Sequence, residues 1–286
     1  MTLIPLLGRH QPDDPIAWYR REIITCGGFL ADVAQLSERL PDRRYVLNLC
    51  EDRYHFLVGF AAALIRRQIS LFPPGRASKM LGQMREEYDD VYCILDQDES
   101  PADIESLRYE RNADSGDVRD MPFVPDDTIA ALVFTSGTTG RPQPHSKTWG
   151  SLVSVAMRTA TRLALGEEQP ASIVATVPPQ HMYGLEASIM LPLQSRSMVH
   201  SGRPFFPQDV RHALEAMPAP RILVTTPVHI RACVAENVSL PPLAFVLSAT
   251  APLQVQLASE AEAMFASPVL EIYGCTEAGV IATRST

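Results

Sequence analysis

The sequence predicts an α/β protein with a largely parallel sheet, and two observations carry that prediction. First, short apolar runs rich in Val, Ile, Leu and Phe alternate with segments whose apolar residues recur at helical spacing, the pattern of βαβ units. Second, one of these runs, 129–134, leads straight into Thr135-Ser136-Gly137-Thr138-Thr139-Gly140-Arg141-Pro142, and a helical stretch over 147–163 follows. A hydroxyl- and glycine-rich loop is thereby set between a strand and a helix. In α/β proteins backbone N–H groups and hydroxyls converge on anions at that position, and small residues let the anion come close. A surface loop of Ser, Thr and Gly is the alternative reading.

In chain order, Leu30, Val33, Leu36 and Leu40 lie near helical spacing and predict a packing helix over 29–40. A strand over 45–50, a helix over 53–67 and a strand over 69–72 follow. Pro73-Pro74-Gly75 ends that strand, because proline removes a donor and glycine opens the turn. An amphipathic helix over 78–88 and a strand over 91–95 come next. The stretch 96–126 is acidic and polar and reads as a surface connector without assignable chemistry. Beyond the loop, strands are expected over 172–177, 197–200, 221–226, 243–248 and 269–272. Helices are expected over 208–217, 228–237 and 254–266. The chain divides in this reading into a unit 1–125 and a unit 126–286. In open α/β sheets ligands sit at the carboxyl ends of strands, and the candidate residues fall mostly there.

The totals exclude several classes. The 286 residues suffice for one large or two ordinary domains with a real core. The net charge of −8 suggests no basic face, which argues against a nucleic-acid partner. Cys26, Cys50, Cys93, Cys233 and Cys275 are odd in number and include no C-x-x-C pair, which argues against a disulfide framework or a zinc site and suits a reducing compartment. The N-terminus has a short apolar patch but neither a cationic start nor a small-residue cleavage site, and no run reaches membrane-spanning length, so a cytoplasmic protein is expected. No Gly-Lys-Ser/Thr follows the loop, and no G-x-G-x-x-G or G-x-S-x-G occurs, which removes support for Walker-type, dinucleotide and ester-hydrolase readings.

Four stretches together point to one family. The segment 135–142 closely resembles the signature loop of the adenylate-forming superfamily, which comprises acyl- and aryl-CoA synthetases, luciferases and peptide-synthetase adenylation domains. Glu271-Ile272-Tyr273-Gly274-Cys275-Thr276-Glu277 resembles that superfamily's Tyr-Gly-x-Thr-Glu motif. Pro178-Pro179-Gln180-His181-Met182-Tyr183-Gly184 resembles the segment where an aromatic residue or His begins a helix beside the acyl pocket. Leu247-Ser248-Ala249-Thr250-Ala251-Pro252 resembles the Ser-Gly-Ala-x-Pro stretch, with Ala249 where Gly is usual. The alternatives are an ordinary turn with a solvated Glu277, a structural His181 at a helix start, and a plain strand end at 247–252.

The resemblance implies stacked, largely parallel β-sheets with flanking helices, the N-terminal domain of the adenylate-forming fold. It implies binding of ATP with Mg²⁺, activation of a carboxylic acid as acyl-AMP, and transfer of the acyl group to the thiol of an acyl carrier protein or CoA. By the same resemblance Thr135, Ser136, Gly137, Thr138, Thr139, Gly140, Ala249, Thr250, Ala251, Glu271, Tyr273, Gly274 and Thr276 hold the nucleotide. Tyr273 would offer a face to adenine, Thr276 a hydrogen bond to the α-phosphate, and Glu277 a hard oxygen to Mg²⁺. His181, Tyr183, Gly184, Thr226, Ser248, Ala249 and Gly274 would line the acid, with Thr276, Glu277 and His181 as the catalytic set. Members of the family commonly read Pro-Lys-Gly after the loop. Here Gln143 stands at the lysine position and Lys147 arrives four residues late beside His145, either as a point charge for the β- or γ-phosphate or as a solvated helix-start residue. The family continues beyond the region matched here with a ribose-binding Asp motif, a hinge and a small C-terminal domain, so ATP or adenylate binding without efficient turnover is expected of these 286 residues. The resemblance runs to short AMP-ligases that load acyl carrier proteins in pigment-like polyene or lipid pathways. An aryl acid such as hydroxybenzoate is the expected substrate, a medium-chain fatty acid the alternative, and a non-catalytic nucleotide-binding scaffold the contrasting class.

Overall fold

A computed structural model describes residues 1–98, 101, 103–112, 116–135, 142–165 and 169–285. The chain opens with three short strands, β1 (Leu3–Pro5), β2 (Pro15–Tyr19) and β3 (Glu22–Thr25), and then α1 (Cys26–Arg39), whose first turn is capped by the Thr25 hydroxyl accepting from Gly28 N–H. β4 (Tyr45–Asn48), α2 (Arg53–Ile65), β5 (Ile69–Phe72), α3 (Ser78–Glu87) and β6 (Val91–Leu95) come next, followed by β7 (Ser106–Arg108), β8 (Phe123–Pro125), β9 (Ile129–Thr135) and β10 (Gln143–Thr148). α4 (Trp149–Arg162), β11 (Ala171–Ala175), α5 (Met182–Leu185), a π-helical turn (Glu186–Met190), α6 (Leu191–Gln194) and β12 (Ser197–His200) lead to the last third. There α7 (Pro207–Ala216), β13 (Arg221–Thr225), α8 (Pro227–Ala235), β14 (Phe245–Ser248), α9 (Val255–Phe265), β15 (Val269–Cys275) and β16 (Gly279–Ser285) complete the chain.

Two large sheets stack, and each is parallel in its interior. One has the order β10-β9-β5-β4-β6-β7 and the other β16-β15-β14-β13-β11-β12-β2-β3, with antiparallel pairs only at the edges. Period-2 alternation sends successive side chains of each strand to opposite faces. On the larger sheet Ile173, Val199, Ile222, Val224 and Leu247 face the central core, while Val174, Met198, Leu223, Val246 and Val269 face α7, α8 and α9. On the smaller sheet Leu47, Leu71, Cys93 and Phe134 pack against Leu81 and Met84 of α3. α1, α2, α4 and the 182–194 segment fill the layer between the sheets. Beyond Arg53 and His55 in its first turn α2 is apolar all round, as a helix buried on every side is, and all but its last residue are buried.

The sheets do not follow a division at 125/126. β9 and β10 pair with the strands of the first third, and β2 and β3 extend the larger sheet. Three local expectations are corrected. The stretch 143–148 is an antiparallel edge strand, so the helix starts at Trp149 rather than at 147. The segment 96–126 contributes β7 and β8, and its Asp96 accepts hydrogen bonds from Glu51 and Asp52 N–H while contacting His55. The last strand does not stop at Ile272 but runs on into a hairpin with β16. Among the described residues no helix is long and apolar enough to cross a membrane.

Candidate active site

Parallel strands point their carboxyl ends to one edge of the larger sheet, and the segments leaving β11, β14 and β15 meet there. They enclose a cavity of about 240 Å³ lined by Val133, Phe134, His181, Met182, Tyr183, Glu186, Ala249, Thr250, Ile272, Gly274, Cys275, Thr276, Gly279 and Val280. A second cavity of about 460 Å³ is lined by Thr250, Ala251, Pro252, Glu271, Ile272, Tyr273, Gly274, Ala282, Thr283 and Arg284. The two share Thr250, Ile272 and Gly274, so they are neighbours along the hairpin strand.

The walls are built by close backbone approaches. A Cβ on Gly184 would lie 1.9 Å from the Pro178 carbonyl, and one on Gly274 2.5 Å from the Gly279 carbonyl. Only glycine permits either contact. The Tyr183 hydroxyl donates to the Leu247 carbonyl at 2.8 Å and ties the helical segment to β14. Arg53 anchors the same segment from below. It is fully buried, donates to the Ala175 and Val177 carbonyls at 2.9 and 2.8 Å, and also donates to the Ser188 hydroxyl. Burial, helped by the Arg203 charge and opposed by Asp52, lowers its pKa to about 9.

On the hairpin, Thr276 lines the first cavity and Glu277 follows it with an exposed carboxylate. The Glu277 backbone N–H and the Cys275 thiol hold that carboxyl below the usual range, and the His145 and Lys147 charges lower it further. His145 Nε2 stands 3.5 Å from Glu277 Oε1 and 3.3 Å from the Thr135 hydroxyl. Lys147 is 6% exposed, and its Nζ donates to the Glu277 carbonyl at 2.8 Å. A solvated helix-start lysine is therefore excluded: β10 turns the side chain inward, behind the hairpin turn. Burial depresses its pKa against the pull of Glu186, Cys275 and Glu277.

Other sequence candidates fall in different places. Ala249, Thr250 and Ala251 border the cavities, and Thr250 adopts φ 80°, which turns the chain sharply there. Tyr273 is 70% exposed on the wall of the second cavity. Glu271 borders that cavity, but both of its oxygens are engaged within the protein: Oε1 accepts from Leu253 N–H at 2.8 Å and Oε2 from Arg284 Nε at 2.6 Å. Ser248 is fully buried with an unpaired hydroxyl, and Thr226 bonds His229 at 3.0 Å; neither is among the residues that line these two cavities. His181 is exposed at the cavity rim, and the surrounding protein together with the Arg203 and Arg76 cations lowers its pKa. Ser136, Gly137, Thr138, Thr139 and Gly140 lie outside the described residues. Sequence reasoning missed Arg53 and Glu186. Glu186 is a single charge inside an otherwise apolar helical run, and that isolation was the available signal; Arg53 follows Glu51 and Asp52 at a helix start and carries no such mark.

Comparison with known proteins fits this geometry. The family of AMP-binding enzymes matches residues 33–286. The chain belongs to the AMP-binding enzyme family. Among curated relatives, a 2-succinylbenzoate–CoA ligase of Bacillus velezensis is 28% identical over 254 residues, covering 85% of this chain and 47% of the relative. A 4-coumarate–CoA ligase of Halorhodospira halophila is 32% identical over 171 residues, covering 59% and 41%. The chain thus spans about half the length of the curated relatives it matches. The fold is that of o-succinylbenzoate CoA synthetase from Bacillus subtilis. A double mutant of that protein with a bound product analogue superposes with a TM-score of 0.81 at 18% identity, over 99% of this chain and 62% of that one. The same synthetase in complex with ATP and magnesium ion gives a TM-score of 0.79 at 18% identity, again over 99% and 62%. Among the described residues no cluster of three or more His, Cys, Asp or Glu side chains is placed to hold a metal. Mg²⁺ needs only one or two protein carboxylates when phosphate oxygens complete its shell. The exposed Glu277 carboxylate of this AMP-binding enzyme, kept ionised by its neighbours, fits that requirement.

Proposed function

We propose that the chain activates a carboxylic acid with ATP and Mg²⁺. The acid's oxygen attacks the α-phosphorus, pyrophosphate leaves and acyl-AMP forms; a thiol then takes the acyl group and AMP is released. The single observation that carries this reading is the pair of adjoining cavities sharing Thr250, Ile272 and Gly274. One suits an acid and the other a nucleoside, and the bond to be made between them falls at the shared wall beside Thr276. Ala251, Tyr273 and Arg284 would hold the nucleoside, Thr276 the α-phosphate, and Glu277 the Mg²⁺ that offsets phosphate charge. Thr135, Ser136, Gly137, Thr138, Thr139 and Gly140 would cradle the outgoing phosphates.

The acid is an aryl acid such as a hydroxybenzoate. A cavity of about 240 Å³ lies below the size that takes a drug-sized ligand and matches a single ring. His181 at its rim orients or admits the carboxylate, and Tyr183, Gly184 and Ala249 shape its walls. The apolar side chains Val133, Phe134, Met182 and Val280 also favour the runner-up, a medium-chain fatty acid. The acceptor is CoA or the pantetheine thiol of an acyl carrier protein.

Binding of non-hydrolysable acyl-adenosine sulfamates tests the reading. A benzoyl mimic is expected to bind more tightly than AMP or the free acid, because it fills both cavities. An octanoyl mimic that binds more tightly still would replace the aryl acid by the fatty acid. A chain that binds ATP but prefers neither mimic to AMP would be a nucleotide-binding scaffold.

A further inference from the structure

Two side chains of β10 converge on one residue of the hairpin. Along β10 Pro144 and Ser146 are exposed, while His145 is half-buried and Lys147 buried, so period-2 alternation puts these last two on one inward face. Lys147 donates to the Glu277 backbone carbonyl, and His145 Nε2 stands 3.5 Å from the Glu277 carboxylate oxygen Oε1. On its other side Nε2 lies 3.3 Å from the Thr135 hydroxyl at the end of β9. Both neighbours of Nε2 are oxygens, and an ionised carboxylate can only accept, so the ring hydrogen belongs on Nε2. The Thr135 oxygen accepts from the same N–H and keeps its own hydrogen for another acceptor. Glu277 is exposed on a turn, and two further groups at its carboxyl, its own N–H and the Cys275 thiol, ride on that same turn. His145 ties the carboxylate to a different element.

We propose that His145 is a positioning residue of the nucleotide site: its Nε2–H holds one oxygen of the Glu277 carboxylate and leaves the other for Mg²⁺. Thr135 anchors the ring from the far side. The two residues of β10 divide the work, Lys147 fixing the backbone of the turn and His145 the side chain that the turn carries. The inference rests on the reading of Glu277 as the Mg²⁺ ligand and adds the group that aims it. A neutral ring suffices, so no positive charge is placed beside the cation. A ligating carboxylate gains affinity when a hydrogen bond fixes its orientation, because less freedom is lost when the metal arrives.

The test is calorimetric titration of ATP, with and without Mg²⁺, into the wild-type chain, His145→Ala, His145→Gln, Glu277→Ala and the double variant His145→Ala/Glu277→Ala. With Mg²⁺, His145→Ala is expected to bind ATP roughly 3- to 10-fold more weakly than wild type, the net worth of one hydrogen bond. Without Mg²⁺ the two are expected to agree within about twofold, as a chain damaged in its fold would not. His145→Gln, whose side-chain amide keeps an N–H donor, is expected to recover most of the loss. In the Glu277→Ala background the His145 substitution is expected to have no further effect. Equal Mg²⁺-dependent binding by His145→Ala and wild type, an equal loss with and without Mg²⁺, no recovery in His145→Gln, or additive losses in the double variant would overturn the assignment while leaving the nucleotide site standing. An unchanged Glu277→Ala, or a wild-type chain that binds no ATP, would instead remove the reading of Glu277 itself, and the role of His145 with it.

Discussion

Lys147 and Glu277 are joined by a 2.8 Å hydrogen bond from the buried ammonium to the backbone carbonyl. It fastens β10 to the turn between β15 and β16. The chemistry proposed for Glu277 therefore depends on a residue 130 positions earlier. Lys147→Met removes the donor and leaves the carbonyl without it. A hydrogen bond involving a charged group is worth about 1.5–3 kcal/mol, so chemical denaturation is expected to show a loss of that order, with several-fold weaker ATP–Mg²⁺ binding from a loosened turn.

Gly279→Ala places a methyl group where Glu186 Oε1 lies, at a backbone angle that costs an L-residue about 1–2 kcal/mol. The substitution is expected to destabilise the chain by more than 2 kcal/mol in total. Adding Glu186→Ala relieves the collision but not the backbone strain. A double-mutant cycle is expected to show favourable coupling; simple additivity would mean that the two residues do not meet.

Burial, opposed by the Val280 N–H and Lys147, raises the Glu186 pKa from 4.5 to about 7. Below pH 4.5 the group is protonated in both folded and unfolded chains and exacts no penalty. Between 4.5 and about 7 the unfolded chain ionises first, so stability falls as pH rises; above about 7 the penalty is complete, at most about 3 kcal/mol. Glu186→Gln is expected to match wild type in stability near pH 4.5 and to exceed it above pH 7. Parallel stability curves for the two proteins would refute this.

Arg53→Met leaves the Ala175 and Val177 carbonyls and the Ser188 hydroxyl without their donor inside the core. Leaving a buried acceptor without its donor costs about 1–3 kcal/mol, and two carbonyls lose theirs here, so about 2–6 kcal/mol is at stake. A loss of that size is expected, together with faster hydrogen exchange in the segment that carries His181 and Tyr183.

Much of this architecture is legible in the sequence. Central strands such as Val91–Leu95 and Arg221–Thr225 are apolar runs of strand length, and their parallel pairing follows from the helices between them. The edges are less legible. Gln143–Thr148 has two prolines' worth of interruption nearby and only one buried side chain, Lys147, so it lacks the alternation that marks a strand. β2 finds its partner β12 some 180 residues away, a pairing that no local pattern encodes. At the site, the Tyr-Gly-x-Thr-Glu stretch is visible as a motif. The burial of Lys147 and the pairing of Glu271 with Arg284 depend on how the hairpin folds back, and Glu186 sits in a run that reads as an ordinary apolar helix.

The central claim, a nucleotide site completed by the hairpin, is tested most directly by calorimetric titration of ATP with Mg²⁺ into the wild-type chain and Glu277→Ala. Saturable binding is predicted for wild type, weakened at least tenfold in Glu277→Ala when Mg²⁺ is present and little changed when Mg²⁺ is withheld. No ATP binding by the wild-type chain, or equal Mg²⁺-dependent binding by both proteins, would contradict the account.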